Sequence, residues 1–289
     1  MSDFDNNRPD PEALLREYNR ENKTKGSLKI FLGYAPGVGK TYSMLEEANT
    51  LVKKGVDVVV GIVETHKRRD TENLLKDLSV LPRKKIEYKN IILEELDLDL
   101  IIKTKPYLVL IDELAHSNNI GSKHPKRYQD IEEILANNIN VYTTVNIQHF
   151  ESVNDVINQI TNIKVSETLP DLFLDKADEI EIIDIPIEEL HERLKEGKVY
   201  LGEQGNRAVN NFFNRTNLTA LRELALRRVA NKLDDELVDH MKARSISVPW
   251  ATSERLLVSV APSPYSQSLV RRTYQMSNDL HAEWIALYV

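Results

Sequence analysis

From residue 28 the chain alternates apolar runs of strand length with amphipathic stretches of helical period. The runs are LKIFLGY (28–34), VDVVVGIV (56–63), IEYK (86–89), YLVLID (107–112), INVYTTVN (139–146) and EIEIIDI (179–185). Helical spacing fills most of the gaps, at 40–53, 70–78, 94–103, 128–137 and 148–161. Near-continuous Val, Ile and Leu strands have no polar face, so both faces need cover. Such strands, separated by helices, predict an open, doubly wound α/β domain with a parallel sheet over 28–185.

The pattern changes on either side of this block. Residues 1–27 read as a polar leader and a short helix. Asp10 suits an N-cap, Pro11 the first helical position, and Leu14, Leu15 and Tyr18 form an apolar stripe. Residues 186–246 read as a helical extension, carried by PIEELHERLKEG and by the charge-rich NLTALRELALRRVANKLDDELVDHMKAR. Ser247, Pro249 and Trp250 mark a break, and 252–289 then reads strand, helix, strand. One βαβ unit does not close a core, so the sequence is expected to stop inside a second α/β domain.

Charge and composition narrow the partners. The 289 residues hold 45 acidic and 38 basic side chains, a formal charge of −7, so no general affinity for nucleic acid or anionic membrane is expected. The absence of cysteine removes disulfides, thiolate chemistry and Cys-ligated metal sites. No apolar run approaches the roughly 20 residues of a membrane-spanning helix, and the polar start is no signal peptide. A soluble stretch is expected.

The candidate chemistry lies in GYAPGVGKTYSML, where a strand meets a helix. Glycines let backbone N–H groups approach phosphate oxygens, a lysine reaches the β and γ phosphates, and a hydroxyl serves Mg²⁺. Pro36, Gly37, Val38, Gly39, Lys40, Thr41 and Tyr42 are the candidate nucleotide-binding residues, at a helix N-terminus whose dipole favours an anion. The usual first glycine would stand at 34, where the chain has Tyr34; Gly33 is one position early. Tyr34 is expected either to widen the loop entrance or to lie against the base or ribose. YLVLIDELAH runs an apolar strand into Asp112, the expected Mg²⁺ partner together with Thr41. Lys40, Asp112 and Glu113 form the candidate catalytic set. Glu113 has two readings, a group that orients water or senses the γ-phosphate, and a capping or ion-pairing carboxylate.

Two further strand ends face the crevice where open α/β sheets bind ligands. One carries Glu64, Thr65 and His66, the other Thr144, Asn146, Gln148 and His149. Polar groups there can report the third phosphate by moving a loop. A metal site from His66, His116 and His149 is a weaker reading, because no pair has helical ligand spacing.

The blocks RPDPEALL, KIFLGYAPGVGKTYSML, GIVETHKRRDTE, LIDELAHSN, YTTVNIQHFESVND, LPDLFLDKADEIEIIDIPIEEL, RLKEGKVYL and NLTALRELALRRVA cover nearly the whole chain. Together they resemble the cytoplasmic N-terminal region of the KdpD family of potassium-responsive sensor histidine kinases, whose version of the loop has the same shifted glycine. The resemblance implies a P-loop NTPase-like domain, the start of a universal-stress-protein-like domain at 252–289, and a place in a plasma-membrane protein. It puts membrane helices and the dimerising kinase modules downstream, so that a response regulator is reached only through a kinase core absent here. It leaves a homodimer of the full-length protein open.

Three functions are expected. The first is an ATP- and Mg²⁺-binding regulatory module whose occupancy biases an attached kinase and phosphatase. The second is an autonomous NTPase or P-loop kinase, which needs a basic finger drawn from Arg68, Arg69, Arg127, Arg222, Arg227 or Arg228. The third, implied by the resemblance, is cyclic di-AMP sensing in the C-terminal domain, with Ser263, Ser266 and Ser268 present but WIALY in place of the family's usual strand opening.

Overall fold

A computed structural model describes residues 11, 25–66, 68–89, 91–161, 163–197, 199, 212–243, 255–280 and 282–289. The expected N-terminal helix and the break at 247–250 lie outside the described residues, save for Pro11. The strands are β1 (Leu28–Gly33), β2 (Val58–Ile62), β3 (Ser79–Val80), β4 (Lys84–Tyr88), β5 (Ile91–Glu95), β6 (Leu108–Ile111), β7 (Asn140–Asn146), β8 (Glu179–Ile183), β9 (Arg255–Val260) and β10 (Glu283–Tyr288).

Six strands form one sheet in the order β3-β2-β6-β7-β1-β8, and every neighbouring pair is parallel. All residues of β1, β2 and β6 are buried, as strands with both faces covered must be. The helix Lys40–Lys53 follows β1 over the span its periodicity predicts and buries Met44, Leu45 and Ala48 on one side. Helices Arg69–Leu75, Leu98–Thr104, Arg127–Ala136 and Glu151–Thr161 also form, the last preceded by a 3₁₀ turn at Ile147–His149.

One expected strand sits elsewhere. The segment 86–89 does not join the parallel sheet; β4 pairs antiparallel with β5 as a separate hairpin. Its side chains alternate between half-buried and exposed, the pattern of an antiparallel pair with one face in water. The helix expected from residue 94 therefore starts later, at Leu98, where the Asp97 carboxylate accepts the Leu100 N–H at 3.0 Å.

The chain divides into two compact units, Thr24–Arg227 and a second comprising Met1–Lys23 with Arg228–Val289. The division falls inside the long helix Arg215–Ala243. In the second unit β9 and β10 pair in parallel across the helix Ser266–Leu280. Among the described residues, no helix is long and apolar enough to cross a membrane.

The strand order fixes where a ligand can sit. Because β7 lies between β1 and β6, the carboxyl ends of these three parallel strands stand side by side. Open sheets of this kind place their ligand crevice at that edge.

Candidate functional site

The β1 strand hands the chain to residues 34–39, and the geometry there explains the odd placement of the glycines. A Cβ on Gly33 would lie 2.6 Å from Val38 Cγ2 and 2.9 Å from Lys40 Cδ, so the lysine stem crosses the strand end where only glycine leaves room. Gly37 and Gly39 take the left-handed φ values +88° and +108°. Tyr34 has a partner of its own within the chain. It is 1% exposed and its hydroxyl donates to Ile185 O at 3.0 Å, so it fastens the loop to the segment just after β8.

Among the described residues, the N–H groups of Gly39, Lys40 and Thr41 have no hydrogen-bond partner. The first amides of a helix have no acceptor within it, and here they open at the sheet's carboxyl edge. Lys40 lies beside them, its ammonium donating to Asn146 Oδ1 at 2.5 Å and, more weakly, to Ala35 O at 3.5 Å. Burial pulls its pKa down to about 8, against the attraction of the Asp112 carboxylate. Of the remaining predicted residues, Pro36 lies in the loop, Val38 is buried beneath it, and the Tyr42 side chain is exposed.

Asp112 follows β6 and is 2% exposed. Its carboxylate accepts from Thr41 Oγ1 at 3.1 and 3.3 Å, from the Glu64 N–H at 3.3 Å, from the Glu113 N–H at 3.1 Å and from the Thr144 hydroxyl. Thr41 and Asp112, 71 residues apart, are thus brought together as expected. Glu113 has φ +58°, a conformation uncommon for a non-glycine residue, and its side chain lies 3.8 Å from His66 and 4.0 Å from Arg127. Burial and the neighbouring Asp112 push its carboxyl above the ordinary range.

Beneath this pair runs a buried network. Arg127, 1% exposed, donates to Asp112 O at 3.0 Å and to Glu95 Oε2 at 3.3 Å. Glu95 also receives His116 Nε2 at 3.0 Å and the Asn119 amides at 2.9 and 3.0 Å. Burial alone would raise its carboxyl, but the bonds from His116 and Asn119 and the charge of Arg127 hold it down to about 2. Arg127 is therefore fixed under the site and is no mobile finger. Arg222 is bound by both oxygens of Asp184 at 2.6 and 2.7 Å, Arg227 pairs with Glu223, and Arg69 is exposed at a helix start. Arg68 alone of the expected fingers lies where its charge acts on Lys40; burial and, further, Arg193 lower its own pKa against the pull of Asp112.

Arg193, absent from the candidate residues, is also at the loop. It comes from the helix Ile187–Lys195 and donates to Gly37 O at 3.3 Å and to Val38 O at 3.1 Å, while Glu189 holds its other nitrogen at 2.6 Å. In sequence the Glu189–Arg193 spacing looks like an ordinary exposed i,i+4 pair, and nothing local announces the loop as a further partner.

The three histidines do not converge. His66 faces Glu113, His116 binds Glu95, and His149 contacts Glu167 O at 2.8 Å. Among the described residues no group of three His, Asp or Glu side chains could hold a metal ion. In the second unit the serines serve their own turn. Ser266 Oγ donates to Ala261 O and Ser268 Oγ to Tyr265 O, both at 2.7 Å, and Ser263 Oγ accepts the Tyr265 N–H at 3.3 Å.

Comparison with known proteins gives one family. A family model described as the osmosensitive K⁺ channel His kinase sensor domain, KdpD, matches residues 24–233. The chain is 46% identical to the sensor protein KdpD of Clostridium acetobutylicum over 99% of its own length and 32% of that protein's. It is 46% identical to the sensor protein KdpD of Escherichia coli K12 over 98% of this chain and 31% of the relative. The Mycobacterium tuberculosis sensor protein KdpD is 44% identical over 92% of this chain and 31% of its own. The chain thus spans about a third of the length of these relatives. By the family model and these relatives alike, it belongs to the KdpD family of sensor proteins.

Proposed function

We propose that residues 34–41 form a phosphate loop that binds ATP with Mg²⁺, and that occupancy of this site biases the kinase and phosphatase output of a potassium-responsive sensor histidine kinase. The reading is carried by one convergence: three unpartnered amides and the Lys40 ammonium meet at the end of β1, in front of the Thr41–Asp112 pair. Amides and an ammonium without carboxylates between them suit a polyphosphate. The Thr41 hydroxyl and Asp112 carboxylate are hard oxygen donors of the kind Mg²⁺ accepts, and they would hold it. Bound there, the ion would offset phosphate charge. The response regulator and the partner subunit of a dimer would be reached through the parts of the relatives that this chain does not span.

The chain's own residues supply the signal. Lys40 donates to Asn146 in the structure, and pairing with a β or γ phosphate would draw it away. Asn146 ends β7, and the chain runs from it through a 3₁₀ turn into the helix Glu151–Thr161. A contact with the third phosphate would therefore be felt along an element beyond the site. It regulates only if it differs between the two states.

Glu113 supports a second reading, a slow ATPase or P-loop kinase. Burial and Asp112 raise its carboxyl, the direction a general base needs, and Glu113 follows Asp112 at the same crevice.

Titration of the protein with ATP and a nonhydrolysable analogue, with melting temperature and phosphate release followed together, tests both readings. Binding without release supports the sensor, and steady release the enzyme. Lys40→Ala should weaken ATP binding by about 1.5–3 kcal/mol, the cost of one charge-assisted contact. Unchanged affinity in the folded variant would remove the phosphate-loop reading.

A further inference from the structure

Arg193 approaches the loop through its carbonyls. A trans peptide is planar, so the C=O of one residue and the N–H of the next point in opposite directions. Arg193 Nη1 holds the Val38 carbonyl at 3.1 Å, which turns the Gly39 N–H to the opposite side, the side of the unpartnered amides. It also holds the Gly37 carbonyl at 3.3 Å. Val199 packs against the same turn, so closely that a Cβ on Gly37 would lie 2.4 Å from its Cγ2. One short segment, 187–199, thus grips two consecutive loop carbonyls and fills the space a side chain at 37 would take.

We propose that Arg193 is a positioning residue for a polyphosphate site. It pins the Gly37 and Val38 carbonyls outward, keeps the Gly39 amide aimed inward, and makes the loop's shape depend on the helix Ile187–Lys195. The proposal rests on the phosphate-loop reading above. Glu189 steadies the guanidinium from within the same helix, and Glu188 pairs with Arg215 at 2.8 Å at the start of the long helix. The loop is therefore tied to the elements that come after β8, and a shift of that helix would loosen the amides without any residue touching the ligand.

The test compares wild type, Arg193→Ala and Arg193→Lys by calorimetric titration with ATP, ADP and inorganic pyrophosphate, and by backbone ¹⁵N order parameters of residues 37–41 without ligand. Arg193→Ala should weaken ATP and ADP by the same factor, roughly tenfold for one lost charge-assisted anchor, and should also weaken pyrophosphate. Order parameters at 37–39 should fall, and added ethylguanidinium should restore part of both. Arg193→Lys should fall between, because an ammonium lacks the fixed fork of the guanidinium. Wild-type protein that binds no nucleotide overturns the phosphate-loop reading and the proposal with it. Wild-type binding with unchanged affinity and order parameters in Arg193→Ala overturns the proposal alone. A loss confined to ATP does so too, by showing direct contact with the third phosphate. Should Arg193→Ala not fold, Glu189→Gln keeps the arginine and releases its tether. Lower order parameters at 37–39 in that variant support the proposal, and unchanged ones overturn it.

Discussion

The Lys40 pKa is held at about 8 by burial, which penalises the charged form. A polyphosphate beside it would reverse that balance and raise the pKa. In the free protein the ammonium is lost as pH rises through about 8, while the complex keeps it, so binding takes up a proton above that pH. ATP affinity should fall with rising pH above about 8, where the nucleotide's own phosphates are already ionised. Calorimetry in two buffers of different ionisation enthalpy reads the uptake, and a buffer-independent enthalpy would refute it. At the next strand end, Asp112→Asn should shrink the difference between Mg²⁺-ATP and metal-free ATP binding, whereas Glu113→Gln should keep binding and abolish any phosphate release. If neither substitution moves metal dependence or release, the end of β6 is structural. The loop, Lys40, Thr41 and Asp112 are legible in the sequence because each sits in a contiguous run whose strand and helix are visible. The roles of Tyr34 and Arg193 are not, since their partners Ile185 and Gly37 lie 151 and 156 residues away.

Among the elements, those legible from pattern are the strands whose burial on both faces makes them uniformly apolar, as in β1, β2 and β6. Where the pattern alternates it misleads, because β4 pairs at the margin of the unit with β5 and no periodicity announces that partner. The two-residue strand β3 and the four-residue helix Leu172–Asp175 are too short to leave a period at all. The helix Arg127–Ala136 shows what an element contributes beyond its apolar stripe. Through Arg127 it supports the Asp112 backbone, and through Glu95 it holds the end of β5. Glu95, depressed to about 2, contributes stability that is full above the unfolded carboxylate range near 4.5 and is lost as pH falls towards 2. Denaturant unfolding between about pH 6 and 2.5 should therefore show a steeper acid loss in wild type than in Glu95→Gln. Arg127→Ala removes the guanidinium from a buried carboxylate that keeps its bonds from His116 and Asn119, and should cost about 1.5–3 kcal/mol. Parallel acid profiles for wild type and Glu95→Gln would count against the network.

Across the whole Thr24–Arg227 unit, nucleotide should leave an uneven trace. Hydrogen exchange at 143–150 should slow more with ATP than with ADP, with a smaller change in 187–199, if the third phosphate makes a contact of its own beside Asn146. Identical patterns, with both ligands shown to be bound, would leave a binding scaffold without a switch. The sheet order has a consequence of another kind, in time. The first strand made, β1, is flanked by β7 and β8, the last two of its sheet to be made. Asn146 comes 106 residues after Lys40, and Arg193 comes 156 after Gly37. At about 5–20 residues per second, a ribosome needs roughly 8–30 s to make that longer stretch. Until β7 is made at Asn140–Asn146, a strand of six buried-type residues has neither neighbour, which is the state that chaperones exist to hold. A nascent chain lacks the Asn146 and Arg193 contacts to the loop until almost the entire unit has emerged, so under the proposed function a half-made chain would send no signal.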